Sequence, residues 1–228
     1  MSLDVTDADL YGPDGRRISG SGEQHSGQVR MAYRLAHSHV DRLLHVHGLG
    51  WHHWDGTRWA EDTRGHAERA VLEVLAEALS ESMGDKQLRA DVARCETAAG
   101  IAGVLTIASK LVEFAATVGD MDSDPNLLNT ASGVLELDTG RLREHDPRDR
   151  ISKVCGATYR PDVDMSYWER FVCQILPDAD ERAYLQRVIG QALYGRVTEH
   201  LFPVLTGTGA NGKSTLYGAL CAALGDYA

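Results

Sequence analysis

Gly207-Thr208-Gly209-Ala210-Asn211-Gly212-Lys213-Ser214-Thr215 is the stretch of this 228-residue chain that decides how the rest is read. It fits G-x-x-x-x-G-K-[ST], a loop whose backbone N–H groups wrap around the phosphates of a nucleotide. Gly207, Gly209 and Gly212 let the backbone curl close to an anion with no Cβ in the way. A helix starting at Lys213 would aim the positive end of its dipole at that anion. Lys213 is expected to reach the β- and γ-phosphates, and Ser214 to offer its hydroxyl to Mg²⁺. Thr215 either contacts a phosphate or caps the helix. Thr208, Ala210 and Asn211 complete the expected nucleotide-binding loop.

The flanks suit such a loop. Leu201-Phe202-Pro203-Val204-Leu205-Thr206 reads as a short apolar strand leading into it. Pro203 places the paired part at or after itself, because proline donates nothing to a ladder. Lys213 to Leu224 reads as an apolar-faced helix. Before this unit lie two helical segments. Tyr167–Leu176 carries Trp168, Phe171, Val172 and Ile175 on one face. Asp178 and Glu181 form a capping box that opens a helix burying Leu185, Val188, Ile189 and Leu193 and stopping at Gly195.

Further upstream, Leu127–Asn129, Val134–Leu137 and Arg141–Arg143 read as strands of a small meander, with Thr139-Gly140 as a turn and Ile151–Tyr159 as a further candidate strand. The first half of the chain is mainly helical by periodicity. One helix is expected from Gln28 to Gly48 on Met31, Leu35, Val40, Leu43 and Leu44, a second over Ala67–Met83, and a short one over Lys86–Cys95. A third long helix is expected over Ala98–Val118. Asp55-Gly56 between Trp51/Trp54 and Trp59 signals a hairpin whose tryptophans anchor a small core. Residues 1–27, polar and glycine-rich, read as a disordered leader.

The expected architecture is therefore mixed α and β. A leader (1–27) precedes a domain over 28–198, itself helical over 28–120, a meander over 121–160 and a helical pair over 165–195. Residues 199–228 begin a P-loop strand–loop–helix unit.

Composition narrows the partners. Lys and Arg number 23 against 33 Asp and Glu, giving a net charge of −10. That balance argues against a strong nucleic-acid grip by this chain alone. Arg141, Arg143, Arg148, Arg150 and Lys153 are interleaved with acids, as on a solvated, salt-bridged surface. No apolar run is long enough to span a membrane, and the amino-terminal residues lack a signal peptide's apolar stretch. Cys95, Cys155, Cys173 and Cys221 are too scattered for a zinc knuckle, and read as reduced, mostly buried thiols of a cytoplasmic protein. His45, His47, His52 and His53 could in principle hold a metal, but no cysteine or spaced carboxylate joins them. Asp120, Asp122 and Asp124 alternate as in a calcium loop, yet lack its glycine and distal glutamate.

Taken in order, Asn126–Asn129, Ser132–Asp138, Thr139–Leu142, His145–Pro147, Leu176–Asp178, Tyr184–Arg187, Ile189-Gly190 and the loop ending at Thr215 resemble the phage and plasmid primase–helicase family. The resemblance is to a poxvirus- and phage-type helicase N-terminal domain followed by the start of a superfamily 3 helicase. It is strong over Asp120–Ala228 and looser over Gln28–Val118, where Trp54–Trp59 matches best. It implies an ATP-driven DNA-unwinding motor in the bacterial host cytoplasm, a hexameric ring with ATP and Mg²⁺ between subunits, and DNA as partner. It also implies a Walker B acid, a sensor asparagine and an arginine finger, which do not occur within residues 1–228. These residues are therefore expected to bind nucleotide weakly and to hydrolyse it negligibly, with the last thirty or so residues packed on the preceding helices or loosely held. The alternatives are a non-catalytic assembly or interaction module, or a prophage remnant, and an unrelated P-loop kinase. A kinase would carry such a loop near its amino terminus.

Overall fold

The computed structural model describes residues 22, 24–197, 199–207, 209 and 211–228. The leader expected over 1–27 falls mostly outside them. The chain divides into two compact units, one of residues 1–55 and 59–121, the other of 56–58 and 122–228.

In the first unit, helices α1 (Gly27–His39), α2 (His66–Glu81), α3 (Lys86–Cys95) and α4 (Ala98–Ala108) enclose one core. Met31, Leu35, Leu75, Val71, Val92, Val104 and Phe114 lie fully inside it. Each such side chain contributes about 1.5–3 kcal/mol relative to exposure. Strands β1 (Leu43–Val46), β2 (Gly50–Trp54), β3 (Trp59–Glu61) and β4 (Ala115–Ala116) form a sheet of order β3-β2-β1-β4. The expected hairpin is β2–β3: Trp54 pairs with Trp59 across a turn in which Gly56 takes φ +99°. Asp85 caps α3 by accepting from the backbone N–H groups of Gln87 and Leu88, and Thr97 caps α4 by accepting from that of Gly100. Both are cap types that side-chain chemistry favours.

Two expected helices are too long. The first stops at His39, not at Gly48, because the chain turns there and Leu43 and Leu44 enter β1. Leu43 packs into the four-helix core, whereas Leu44 joins Val46, Trp59 and Ala116 in a second cluster. Consecutive side chains serving opposite faces are the mark of a strand. The third stops at Ala108. Beyond it Phe114 enters the core, Val112 stays 53% exposed and Ala115–Ala116 pair in parallel with β1.

The second unit opens with the expected meander, β5 (Leu127–Thr130), β6 (Gly133–Glu136) and β7 (Arg141–Arg143). Residues 151–159 do not form a strand, although Cys155 donates its N–H to Asn129 O at 2.8 Å and so runs beside β5. Helices α5 (Ser166–Ile175), α6 (Ala179–Gln191) and α7 (Lys213–Leu224) follow. Asp178 caps α6 as expected, accepting from Asp180 N and Glu181 N at 2.8 and 3.1 Å. The helix ends at Gln191, short of Gly195, whose N–H instead donates to Pro125 O at 3.0 Å. Leu185, Val188, Ile189 and Leu193 are only half-buried. Residues 201–206 belong to neither sheet, with Phe202 91% and Val204 68% exposed, so the strand expected before the loop is not formed.

The basic stretch is salt-bridged: Arg141 pairs with Glu136, Arg143 with Glu136 and Asp149, and Arg148 with Asp146. All four cysteines are free, Cys95 and Cys155 buried but Cys173 exposed. No helix among the described residues is long and apolar enough to cross a membrane.

Candidate functional site

The loop occupies the amino-terminal end of α7. Gly212 is its N-cap residue at φ +80°, and Gly209 sits at φ +95°. Both are left-handed conformations that side chains with a Cβ resist. A Cβ added to Gly212 would lie 2.5 Å from Ile175 Cγ2, and one added to Gly207 only 1.8 Å from Asn211 Nδ2. Backbone conformation thus calls for glycine at 209 and 212, and close approach to Ile175 adds to it at 212. Thr208 and Ala210 lie outside the described residues.

Lys213 Nζ donates to Asn211 Oδ1 at 2.8 Å, and would stand 2.9 Å from a Cβ on Gly207. The ammonium is therefore held over the loop rather than extended into solvent. No side chain caps α7, so the first-turn N–H groups of Lys213, Ser214 and Thr215 face outward without an intrahelical acceptor. Ser214 and Thr215 are exposed. Convergent backbone donors, one fixed cation and a free hydroxyl are the donor set that a phosphate and its Mg²⁺ require.

The far end of α7 is anchored. Asp226 donates its N–H to Val154 O at 3.2 Å, and its carboxylate accepts from Val154 N at 3.0 Å and from Arg58. Tyr227 OH accepts from Asn129 N at 3.3 Å, and burial pushes its phenol up to about 12. Fully buried Asn129 donates to Thr57 O and Lys153 O at 3.0 and 2.8 Å. The helix carrying Lys213 is thereby fixed to the meander at its carboxy-terminal end. Sequence reading missed this anchor, since its partners are far apart in the chain. Between α5, α6 and α7 lies an apolar groove of about 590 Å³ lined by Trp168, Val172, Leu185, Ile189, Leu216 and Leu220.

The histidines are not gathered around one ion. His45 meets Trp51 edge-on at 5.1 Å, and Trp51 in turn meets Phe114 at 5.5 Å. His52 is buried with Nδ1 3.1 Å from Gly50 O. His53 instead stacks on His66, a residue that sequence reading did not single out. Burial draws His45 and His53 below their ordinary values. The alternating aspartates shape turns: Asp120 accepts from Thr117 N, Asp122 from Ser152 N and Asp124 from Asn126 N.

A family described as D5 N terminal like matches residues 32–177, more than half of the chain. The chain is 34% identical over 111 residues to the "Putative helicase L207/L206" of Acanthamoeba polyphaga mimivirus, covering 47% of this chain and 12% of that protein. It is 25% identical over 135 residues to the "Putative primase C962R" of an African swine fever virus isolate (Warthog/Namibia/Wart80/1980), covering 55% of this chain and 14% of that protein. The matched segments thus span about an eighth of these relatives' own length.

Proposed function

We infer the function from one premise: the chain belongs to the D5 N terminal like family of the primase–helicases. Its role is to supply the N-terminal domain and the phosphate loop of an ATP-driven DNA helicase of superfamily 3 type, as found in phages. Gly207 to Thr215 take the β- and γ-phosphates of ATP, and Ser214 takes the accompanying Mg²⁺. The observation that carries this reading is the Lys213–Asn211 bond of 2.8 Å at the uncapped start of α7. Nothing in a turn that binds no anion calls for a lysine poised over three glycines.

When bound, Mg²⁺ would neutralise the phosphates and polarise the transferred group. The chain's own contribution is to orient. Asn211 holds Lys213, the glycines admit the phosphates, and Asp226 and Tyr227 fix the helix behind them. Hydrolysis also needs a metal-holding carboxylate and an arginine for transition-state charge. Phe171 and Ile175 on α5, which pack against Gly212, supply neither. Residues 1–228 accordingly bind nucleotide weakly and turn it over negligibly by themselves. In the working motor the site lies between subunits of a hexameric ring on DNA, in the bacterial cytoplasm.

A second reading, a non-catalytic assembly module, is favoured by exposed Tyr167, Phe202, Val204 and Tyr217 around the loop and groove. Fluorescent ATP analogues with Mg²⁺ separate the two readings. Saturable binding that Lys213→Ala abolishes supports the nucleotide site; binding that ignores Lys213, or no binding, supports the assembly module.

A further inference from the structure

The hairpin β2–β3 brings a second set of ligand-bearing side chains together, far from the phosphate loop in sequence. His53 lies near the end of β2, Asp62 follows β3, and His66 is the first residue of α2. The imidazoles of His53 and His66 stack in parallel, with centroids 3.8 Å apart and planes inclined by 7°. One ring nitrogen of each and one Asp62 carboxylate oxygen all lie within 4.8 Å of one another, and all three residues are half-buried. Among the described residues no other three His, Cys, Asp or Glu side chains converge in this way.

We propose that His53, Asp62 and His66 form a binding site for one divalent cation of borderline softness, Zn²⁺ being the best fit. Two imidazoles and a carboxylate match zinc's preferred donors, and three protein ligands leave a fourth, tetrahedral position for water. Nδ1 of His53 is buried and has no hydrogen-bond partner. In the tautomer protonated at Nε2 this nitrogen carries a lone pair, which a metal ion would satisfy. Asp62 already accepts from Arg64 N and His66 N through Oδ1, at 3.2 and 2.8 Å, and from Ala67 N through Oδ2, at 2.8 Å. Each carboxylate oxygen can accept twice, so Oδ2, with one N–H bond, keeps acceptor capacity for a metal ion. The three N–H bonds then act as an outer shell that fixes the carboxylate's direction.

The electrostatics agree. Burial, and after it the charge of His66, draws His53 below its ordinary value. Asp62 is pushed up by burial, but its N–H bonds, that of Ala67 first, outweigh this and hold it below the usual carboxylate range. Closure on zinc requires movement. Ligand atoms about 2.0–2.1 Å from a tetrahedral ion stand about 3.4 Å apart, so the parallel rings must splay. The ion would clip the hairpin to the first turn of α2.

The test is calorimetric titration of ZnCl₂ into the tag-free, chelator-stripped 228-residue chain. The expected result is one equivalent bound, with affinity reduced at least about tenfold by His53→Ala and by His66→Ala. Asp62→Asn, which keeps one of the two acceptor oxygens that bond the start of α2, should weaken binding similarly while circular dichroism shows the fold retained. His45→Ala/His47→Ala should leave it unchanged. Should an alanine variant fail to fold by circular dichroism, His66→Gln takes its place, and the imidazole NMR shifts of His53 and His66 in the unmodified chain report the ligands directly. No saturable binding tighter than about 100 μM overturns the proposal. So does binding that survives loss of both His53 and His66, or zinc that leaves their resonances unmoved.

Discussion

Asp91→Ala should be among the most damaging single changes in the first unit. Asp91 lies on α3 with a side chain 0% exposed, its Oδ2 3.2 Å from Arg30 Nη1 on α1, whose side chain is 10% exposed. Its Oδ1 accepts from Gln87 Nε2 at 3.0 Å. Removing the carboxylate takes from the largely buried Arg30 guanidinium the fully buried counter-charge on α3. Breaking one side of a buried pair costs about 3–5 kcal/mol. Arg30 Nε still donates to His25 O at 2.6 Å and the arginine retains slight solvent access, so the low end, about 3 kcal/mol, is expected. With a urea m-value of about 1–3 kcal/mol/M, the midpoint should fall by roughly 1–3 M. Tryptophan fluorescence reads this unit selectively in a Trp168→Phe background, because Trp51, Trp54 and Trp59 all lie within it. The double change Arg30→Met/Asp91→Leu should be nearly neutral or stabilising, since it removes both desolvated charges. A midpoint shift below about 0.3 M for Asp91→Ala, or a double variant as damaged as the single, would refute the reasoning.

Other consequences are smaller in scope. Asn129→Leu removes the amide donor shared by the carbonyls of Thr57 and Lys153 and should cost the second unit about 1–3 kcal/mol, read by denaturant unfolding; a loss under about 0.5 kcal/mol would contradict the anchor. Gly212→Ala forces a Cβ against Ile175 at φ +80° and should destabilise the start of α7 by about 1 kcal/mol or more, seen as faster amide exchange at Ser214 and Thr215. Burial lowers the pKa of His39 despite its 3.3 Å contact with Glu73. The unfolded chain therefore binds the proton first, and stability present above about pH 6.5 is lost as pH falls through that value. Tm should drop on going from about pH 7.5 to about pH 5.5, less steeply in His39→Gln; equal slopes would show that His39 is not the source.

Local chemistry was legible where it stayed local. The cap at Asp178, the Trp54–Trp59 hairpin, the three-stranded meander and the full extent of α7 all follow from short-range patterns. Errors arose where tertiary pairing overrode period. Leu43 and Leu44 continue the helical spacing of α1, yet β1 is apolar on both faces, and such a strand cannot be told from helix by periodicity. Likewise Ala115 and Ala116 leave the helical register because β4 completes a parallel pair with a strand some seventy residues earlier in the chain. The glycine-rich motif of residues 207–215 was legible as a pattern, and so was the helix that starts at Lys213. Its support was not, since Asp226, Tyr227, Asn129 and Arg58 meet only after folding. His66 and Asp62 escaped notice for the same reason: the stack with His53 depends on the register of β2 against β3.

The central claim concerns Lys213 at the start of α7. Equilibrium binding of a fluorescent ATP analogue with Mg²⁺, compared between the unmodified chain and Lys213→Ala, tests it most directly. The prediction is weak, saturable, Mg²⁺-dependent binding that Lys213→Ala removes while circular dichroism stays unchanged. Equal binding by both proteins, or none by either, would contradict it.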